Sequence, residues 1–198
     1  MGKKRGQKYE QIIDAAVKVI AENGYHNSQV SKIAKEAGVA DGTIYLYFKN
    51  KEDILISLFE EKMGNFVEII KDKLTDERST ERKLLILIEM HFKQLEMDHD
   101  LAIVTQLELR QSNISLRHKV NEVLKGYLSL IDSVLKEGIE TGIFAEDLDL
   151  RMARQIIFGA IDEVVTNWVM KDHRYELAPL AESIHRMLFK GLAGSNQV

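Results

Sequence analysis

Apolar residues recur along this chain at intervals of three and four residues, and no stretch alternates strictly between apolar and polar positions. Such intervals keep apolar side chains on one face of an α-helix, whereas alternation is typical of a β-strand. The first segment of this kind reaches Ile20, and Asn23-Gly24 follows it as a stop signal. The second begins near Val30 and stops at Gly38.

The same pattern predicts helices along the rest of the chain. Asn50 has the character of an N-cap, because the acidic residues that follow it lie where the helix dipole favours negative charge. That helix is expected to continue to Leu74, and a single proline, Pro179, agrees with long helices throughout. Further helices are predicted at about 81–97, 101–111, 115–140, 150–170 and 178–193. The fold is therefore predicted to be all-α, with about nine helices.

Residues 28–51 combine two short helices around a tight turn. The first ends at Gly38, and a short helical piece is predicted at about 41–47. Two helices joined in this way form a helix-turn-helix, whose second helix enters the DNA major groove. Ile44 and Phe48 are four residues apart and are expected to point inward. The outer face then carries Thr43, Tyr45 and Tyr47.

Positive charge is concentrated near the N-terminus. Residues 1–50 hold 8 Lys and Arg against 5 Asp and Glu, whereas residues 51–198 hold 19 against 26, within a net charge of −4. This asymmetry indicates either an interaction surface in one part of the chain or a solvated charged tail. A flexible arm over the DNA backbone or minor groove is expected before the first helix, with Lys3, Lys4, Arg5 and Lys8.

Three runs resemble the signature of the TetR family of bacterial transcription regulators: Gly38-Val39, residues 42–48 and residues 51–55. The resemblance is close over residues 9–56 and favours this family over a plain helical hairpin with a basic surface. It implies a helix-turn-helix DNA-binding domain over residues 1–53 and a ligand-binding and dimerisation domain over residues 54–198.

The resemblance also implies which side chains meet DNA. Phosphate contacts are implied for Gln29, Val30, Tyr47 and Lys51, and base contacts for Asp41, Gly42, Thr43 and Tyr45. Asp41 has two interpretations, because phosphates repel a carboxylate unless it accepts a hydrogen bond from a cytosine amino group. We favour the other interpretation, in which Asp41 caps the short helix.

The last two predicted helices, 150–170 and 178–193, are apolar over more than one face. A helix of this kind is buried on more than one side. The resemblance implies that both helices pair with their symmetry mates in a homodimer, the alternative being a single internal core. Two-fold symmetry would then require double-stranded operator DNA that is roughly palindromic.

The middle helices carry apolar side chains that suit either an ordinary core or a ligand cavity. Polar groups near the end of one short helix could hold the charged head of a ligand. The candidate ligand-binding residues are Met63, Phe66, Phe92, Gln106, Leu107, Arg110, Asn113, Phe158 and Trp168.

Residues 106–113, the N-terminal motif, and residues 159–163 with Trp168 beyond resemble the FadR-type regulators of fatty-acid degradation in Gram-positive bacilli. This resemblance implies a repressor of β-oxidation genes that its effector, a long-chain acyl-CoA, releases from DNA. An apolar tunnel suits an acyl chain, at about 0.8 kcal/mol per buried CH₂ group, and a basic side chain suits the coenzyme phosphates. The basic candidates are Arg110, Arg117, Lys119, Arg151 and Arg154. The alternative is a TetR-type repressor that responds to another hydrophobic small molecule.

Several classes of site are not expected. The chain has no cysteine, its six histidines include no pair at i and i+4, and no P-loop, nucleophile elbow or dinucleotide fingerprint occurs. We therefore expect no metal, no cofactor and no enzymatic activity. Two hypotheses compete with a repressor. One is a helical acyl-CoA-binding enzyme or carrier, and the other is an interaction module without a ligand. No 18-residue apolar run or secretory signal occurs, so no membrane association and a cytoplasmic location are expected.

Overall fold

A computed structural model of the chain describes residues 6–108 and 114–193. The described residues form nine α-helices, one π-helical turn and one 3-10 turn, and they contain no β-strand beyond one isolated bridge. The predicted all-α fold with about nine helices is confirmed. The helices are α1 Gln7–Asn27, α2 Val30–Glu36, α3 Asp41–Ile44, α4 Lys51–Thr75, α5 Thr80–Met97, α6 His99–Ile103, α7 Ile114–Glu140, α8 Leu150–Met170 and α9 Ala181–Leu192.

Local signals in the sequence explain where several helices begin and end. Gly24 and Gly38 have φ angles of 72° and 66°, a conformation that glycine adopts without strain. Gly24 interrupts α1 as predicted, although one more turn continues to Asn27. Asn50 is the N-cap of α4, because its Oδ1 accepts a hydrogen bond from the backbone N–H of Asp53 at 2.8 Å.

Two predicted helices differ from the observed ones. The helix expected at 101–111 is instead α6 followed by a π-helical turn over Val104–Glu108, and residues 109–113 lie outside the described part of the chain. The piece expected at 41–47 is helical only as far as Ile44, and residues 45–47 form a turn. Pro179 lies in the 3-10 turn Ala178–Leu180, which leads directly into α9.

The chain divides into two compact units. The N-terminal unit comprises Met1–Lys62 and Asp100–Val123, and the C-terminal unit comprises Met63–His99 and Leu124–Val198. Helices α4, α6 and α7 therefore contribute residues to both units. The domain boundary between residues 53 and 54 stays a prediction.

The N-terminal unit is built around α1. This helix packs against α2 and against the π-helical turn, and α2 packs against α3. The ring of Tyr9 is stacked on Phe48 with centroids 5.3 Å apart, and both side chains are buried. Burying one such large apolar side chain contributes about 1.5–3 kcal/mol to folding. Helix α2 is therefore packed directly on α1, and Phe48 anchors the segment after α3 to Tyr9 of α1.

The C-terminal unit is a helical bundle in which α5, α8 and α9 pack against one another. Its buried side chains include Leu87, Ile88, Ile161 and Trp168. Gly138, near the end of α7, lies directly under the ring of Phe144, which occupies the space where a Cβ atom on Gly138 would be. Phe144 in turn contacts the ring of Phe189 on α9. Phe144, which follows α7, thus packs on Gly138 of α7 and meets Phe189 of α9 edge-on.

Candidate DNA-binding surface and effector site

The recognition segment consists of α3 and the turn that follows it. The turn stays compact because the backbone N–H groups of Tyr47 and Phe48 both donate to the carbonyl oxygen of Ile44, each at 3.0 Å. The side chains of Ile44 and Phe48 are fully buried, so the prediction that they point inward is confirmed. Between these two anchors, the side chains of Tyr45 and Leu46 are exposed.

The predicted base-contacting residues lie on this outer surface to different degrees. Tyr45 is 59% exposed, and Asp41 and Gly42 are also exposed, whereas Thr43 is half-buried. Leu46, which the sequence analysis did not include, is 80% exposed beside Tyr45. An exposed leucine next to candidate base-reading groups is a further candidate, since apolar side chains contact the methyl group of thymine.

Asp41 is the first residue of α3 and does not cap it. The N-cap position belongs to Ala40, and no side chain accepts a capping hydrogen bond there. The capping interpretation of Asp41 is therefore wrong, because α3 begins one residue earlier than that interpretation requires. Its carboxylate still lies in the first turn, where the helix dipole favours negative charge.

The predicted phosphate-contacting residues border the same surface. Gln29 is exposed at the N-cap position of α2, and Val30 is half-buried at the first residue of that helix. Tyr47 is half-buried, with its ring centroid 6.3 Å from that of Tyr9. Lys8 lies within α1 and is exposed, so it does not belong to a segment before the first helix. The other predicted arm residues, Lys3, Lys4 and Arg5, lie outside the described residues.

Lys51 has an internal partner. Its Nζ donates to the backbone carbonyl oxygens of Tyr25 and His26 at 2.9 and 3.0 Å, and it lies 4.5 Å from the centroid of the Tyr25 ring. These carbonyls belong to the last turn of α1, where the helix dipole favours a positive charge. Lys51 therefore holds the start of α4 against the end of α1, and its contact with a phosphate stays a prediction.

Five aromatic rings from four helices lie close together inside the C-terminal unit. The centroid of Phe66 on α4 lies 5.2 Å from that of His91 on α5 and 5.7 Å from that of Tyr127 on α7. Tyr127 also lies 6.1 Å from Phe158 on α8, and His91 lies 6.2 Å from its neighbour Phe92. We call these five residues the ring cluster. Three of them were predicted from the sequence, and His91 and Tyr127 were not.

His91 and Tyr127 form the polar centre of the ring cluster. Nδ1 of His91 lies 2.9 Å from the hydroxyl oxygen of Tyr127. Burial lowers the pKa of His91 to about 3, because a charged imidazolium would be removed from water. Burial, and secondarily the negative charge of Asp162, raises the pKa of Tyr127. Both side chains are therefore neutral near pH 7.

The other candidate ligand residues lie elsewhere. Met63 is buried in the C-terminal unit, and Trp168 belongs to a second aromatic group, in which its Nε1 donates to the carbonyl of Tyr175 at 2.7 Å. Gln106 and Leu107 belong to the N-terminal unit, where Gln106 is buried and Leu107 is 43% exposed. The predicted head-group residues Arg110 and Asn113 lie outside the described residues.

The basic candidates for the coenzyme head differ in their surroundings. Lys119 pairs with Glu52 at 2.8 Å, and Arg154 pairs with Asp132 at 2.7 Å. Arg117 and Arg151 are exposed. Lys119 and Arg154 therefore each have a carboxylate partner, and contact of any of these four residues with the coenzyme phosphates stays a prediction.

Across residues 6–108 and 114–193, no three His, Asp or Glu side chains are grouped so that they could hold a metal ion. No helix among the same residues has the length and apolar character needed to cross a membrane.

Both parts of the chain match known protein families. Residues 12–58 match the TetR family of bacterial regulatory proteins, and residues 59–191 match the C-terminal region of YsiA-like proteins. The chain is 62% identical over 190 residues to the fatty acid metabolism regulator protein of Bacillus subtilis. The aligned residues cover 96% of this chain and 98% of the relative.

Two solved structures are similar over most of the chain. The fatty acid degradation regulator FadR from Bacillus halodurans superposes with a TM-score of 0.91 at 66% identity, covering 93% of this chain and 99% of that one. The transcriptional regulator FadR from Bacillus subtilis, solved in complex with stearoyl-CoA, superposes with the same TM-score at 62% identity and the same coverage of both chains. Together with the exposed recognition segment, these matches show that the chain belongs to the TetR family of bacterial transcription regulators.

Proposed function

We propose that this protein represses genes of fatty-acid degradation and that a long-chain acyl-CoA releases it from operator DNA. The observation that carries this proposal is the 62% identity, over 96% of the chain, to a fatty acid metabolism regulator. A solved relative of the same identity is a complex with stearoyl-CoA. The protein would act in the cytoplasm and would bind its effector without catalysing a reaction.

DNA recognition would use the outer surface of α3 and its following turn. Tyr45, Thr43, Gly42 and Asp41 would face the bases, because their positions in the TetR motif are those that face bases. Sequence is read through contacts to base edges, whereas phosphate contacts fix position and register. Gln29, Val30, Tyr47 and Lys51 would supply the phosphate contacts.

The effector's acyl tail would occupy the interior of the C-terminal unit near the ring cluster. Phe66, Phe92 and Phe158 supply apolar surface from three different helices. Met63 would extend this surface, and the coenzyme head would lie near Arg110 and Asn113. Helix α4 begins beside the recognition segment and also carries Met63 and Phe66, so a tail packed against these residues would act on a helix that starts at the DNA-binding motif. A ligand shifts an equilibrium only by binding one state more tightly than the other.

The protein would be a homodimer joined through α8 and α9. Two adjoining stripes of α8 are apolar, and its buried face includes Ile157, Ile161 and Val165. Outside that face Ile156 is 57% exposed, and Met187 on α9 is 68% exposed. Both side chains border an apolar groove between the two helices. An exposed apolar surface of this kind is typical of an interface, and a second copy of the chain would cover it.

Sedimentation velocity tests the dimer. We expect the protein to sediment as a dimer at micromolar concentration and the Ile156→Glu variant as a monomer, because a carboxylate would be buried without a partner. Lys136→Glu, which changes an exposed residue of α7, should leave the dimer intact. A monomeric native protein, or a dimeric Ile156→Glu variant, would contradict this part of the proposal.

An operator-release titration tests the function as a whole. The protein is first bound to a genomic DNA fragment selected by gel shift, and coenzyme A and acyl-CoAs of increasing chain length are then added. Longer chains should release DNA at lower concentration until the site is full, because each buried CH₂ group contributes about 0.8 kcal/mol. Coenzyme A, which lacks the tail, should release DNA poorly. Equal potency of coenzyme A and stearoyl-CoA, or no release by either, would refute the proposal.

A further inference from the structure

The side chain of His91 is buried at the centre of the ring cluster with one nitrogen atom unsatisfied. Only 4% of the residue is exposed. Nδ1 lies 2.9 Å from the hydroxyl oxygen of Tyr127, whereas Nε2 has no hydrogen-bond partner among the residues that the structure describes. Buried polar atoms are nearly always hydrogen-bonded, and one that is not requires an explanation. A bound ligand that supplies the missing partner is such an explanation.

The contact with Tyr127 determines which hydrogen-bonding role Nε2 plays. A neutral imidazole carries one proton, on either Nδ1 or Nε2. If Nδ1 accepts from the hydroxyl of Tyr127, the proton lies on Nε2 and a single donor is unsatisfied. If Nδ1 donates instead, both Nε2 and the Tyr127 hydroxyl proton lack a partner. The first arrangement leaves fewer polar atoms unsatisfied, so Nε2 of His91 presents an N–H donor.

The surroundings of His91 limit the acceptor to an uncharged group. Phe66 and Phe92 flank the imidazole with ring centroids 5.2 and 6.2 Å away. A carboxylate or phosphate placed among these rings would lose its hydration without gaining a cationic partner, which costs far more than burying a neutral group. A carbonyl or hydroxyl oxygen carried by an otherwise apolar chain satisfies both conditions.

We propose that His91, oriented by Tyr127, donates a hydrogen bond from Nε2 to an uncharged oxygen on the acyl group of the effector. The inference rests on the proposed function, because it assumes an acyl-CoA in the C-terminal unit. His91 is then a ligand-binding residue that selects for oxygen on an acyl chain, and Tyr127 is a positioning residue. The oxygen is either the thioester carbonyl or a hydroxyl carried further along the chain.

Binding measurements with matched ligands separate these two sources. Calorimetry on the full-length protein compares stearoyl-CoA with S-octadecyl-CoA, a thioether that lacks the carbonyl, and with stearoyl-CoA hydroxylated at C3 or C10. We expect the native protein to prefer the oxygen-bearing member of at least one pair by about tenfold. A preference over the thioether identifies the thioester carbonyl, and a preference for a hydroxylated chain identifies the chain hydroxyl.

Variants of the pair test whether His91 causes that preference. His91→Phe keeps a ring but removes the donor, so the preference should fall to within about twofold. His91→Gln retains an N–H donor and should restore most of the preference. Tyr127→Phe leaves the imidazole free to place its proton on either nitrogen, and should reduce the preference to about threefold. Phe92→Leu, the matched control, should weaken all ligands alike and keep the ratio.

The outcomes distinguish this inference from the function on which it rests. If the native protein binds no acyl-CoA, the proposed function fails. If it binds all ligands equally, or if His91→Phe keeps the full preference, only the role of His91 is refuted. Should His91→Phe fail to fold, Tyr127→Phe carries the test, and an unchanged preference in that variant overturns the proposal.

Discussion

The main candidate for base recognition lies on the surface of its unit, whereas the candidate effector side chains lie within the core of theirs. In the N-terminal unit, Tyr45 projects from the turn after α3, and the buried side chains of Ile44 and Phe48 anchor this segment to the core. In the C-terminal unit, Phe92 and Tyr127 are fully buried and belong to the core itself. The side chains proposed for DNA recognition are therefore distinct from those that stabilise the first unit, whereas the side chains proposed for effector binding are part of the core of the second.

The largest effect is expected where binding and stability coincide. Phe92→Ala should lower the free energy of unfolding by about 3–5 kcal/mol, because a fully buried ring leaves a cavity, and it should also weaken stearoyl-CoA binding. Urea denaturation and calorimetry measure the two effects. Ile69→Ala, at an exposed position of α4 in the same unit, is the control and should change little. If Phe92→Ala kept native stability but no longer bound stearoyl-CoA, effector binding and stability would not depend on the same side chain.

The pH dependence of stability should reveal whether His91 is buried in its neutral form. Burial holds its pKa at about 3 in the folded protein, against 6.5 for the free side chain, so the unfolded chain takes up the proton first and stability is lost as pH falls below about 6.5. Between pH 7 and pH 5 the native protein should lose about 2 kcal/mol more unfolding free energy than His91→Phe, from about 1.4 kcal/mol per pH unit. Parallel curves for the two proteins would mean that His91 is not buried in its neutral form.

Tyr45→Ala should separate recognition from stability in the N-terminal unit. Operator binding should weaken by about 1–3 kcal/mol with relaxed specificity at one base pair, while the free energy of unfolding should stay within about 0.5 kcal/mol. A gel shift against the operator and its point variants measures the first, and urea denaturation the second. Unchanged operator affinity and selectivity would show that the recognition surface lies elsewhere.

Asn50 is an exception to the division between exposed recognition residues and buried stabilising ones, because it is exposed and yet its side chain stabilises a helix. Asn50→Ala removes the hydrogen bond from Oδ1 to the backbone N–H of Asp53 and should cost about 1 kcal/mol of stability. Asn50→Asp keeps a capping acceptor and should cost much less. If thermal unfolding of Asn50→Ala matched that of the native protein, the cap would contribute nothing to the start of α4.

The smallest effect is expected for Lys51→Ala. If Lys51 contacts a phosphate, its loss should weaken binding to all DNA sequences alike and reduce the slope of log K against log salt by about one unit. Its hydrogen bonds to the carbonyls of Tyr25 and His26 suggest a second effect, a small loss of stability. An unchanged salt slope together with reduced stability would assign Lys51 to the scaffold alone.

Sequence periodicity predicted most helices well, because long amphipathic faces specify them directly. The range predicted for α8 agrees with the observed Leu150–Met170, and that for α7 differs from Ile114–Glu140 by one residue at its start. Within the predicted range 101–111, the structure differs over Val104–Glu108, where a π-helical turn widens the hydrogen-bonding register by one residue; a spacing of three and four does not reveal such a turn.

The two candidate sites differed in how far they could be predicted. The motif correctly predicted that Ile44 and Phe48 are buried and that Tyr45 is exposed, because a short helix and the turn after it are set by nearby residues. His91 and Tyr127 were missed because their contact joins residues 36 positions apart. The only available signal was a polar residue on an apolar helix face, next to Phe92 for His91, and that position alone names no partner.

The close approach of Phe144 to Gly138 has a consequence for how relatives of this protein can diverge. Any larger residue at position 138 would overlap the aromatic ring, so the two positions cannot change independently. Alanine at 138 becomes acceptable once position 144 carries a smaller side chain, and overpacking of about 1–3 kcal/mol opposes the reverse order of change. Across homologues, a residue larger than glycine at position 138 should therefore occur only together with a side chain smaller than phenylalanine at position 144.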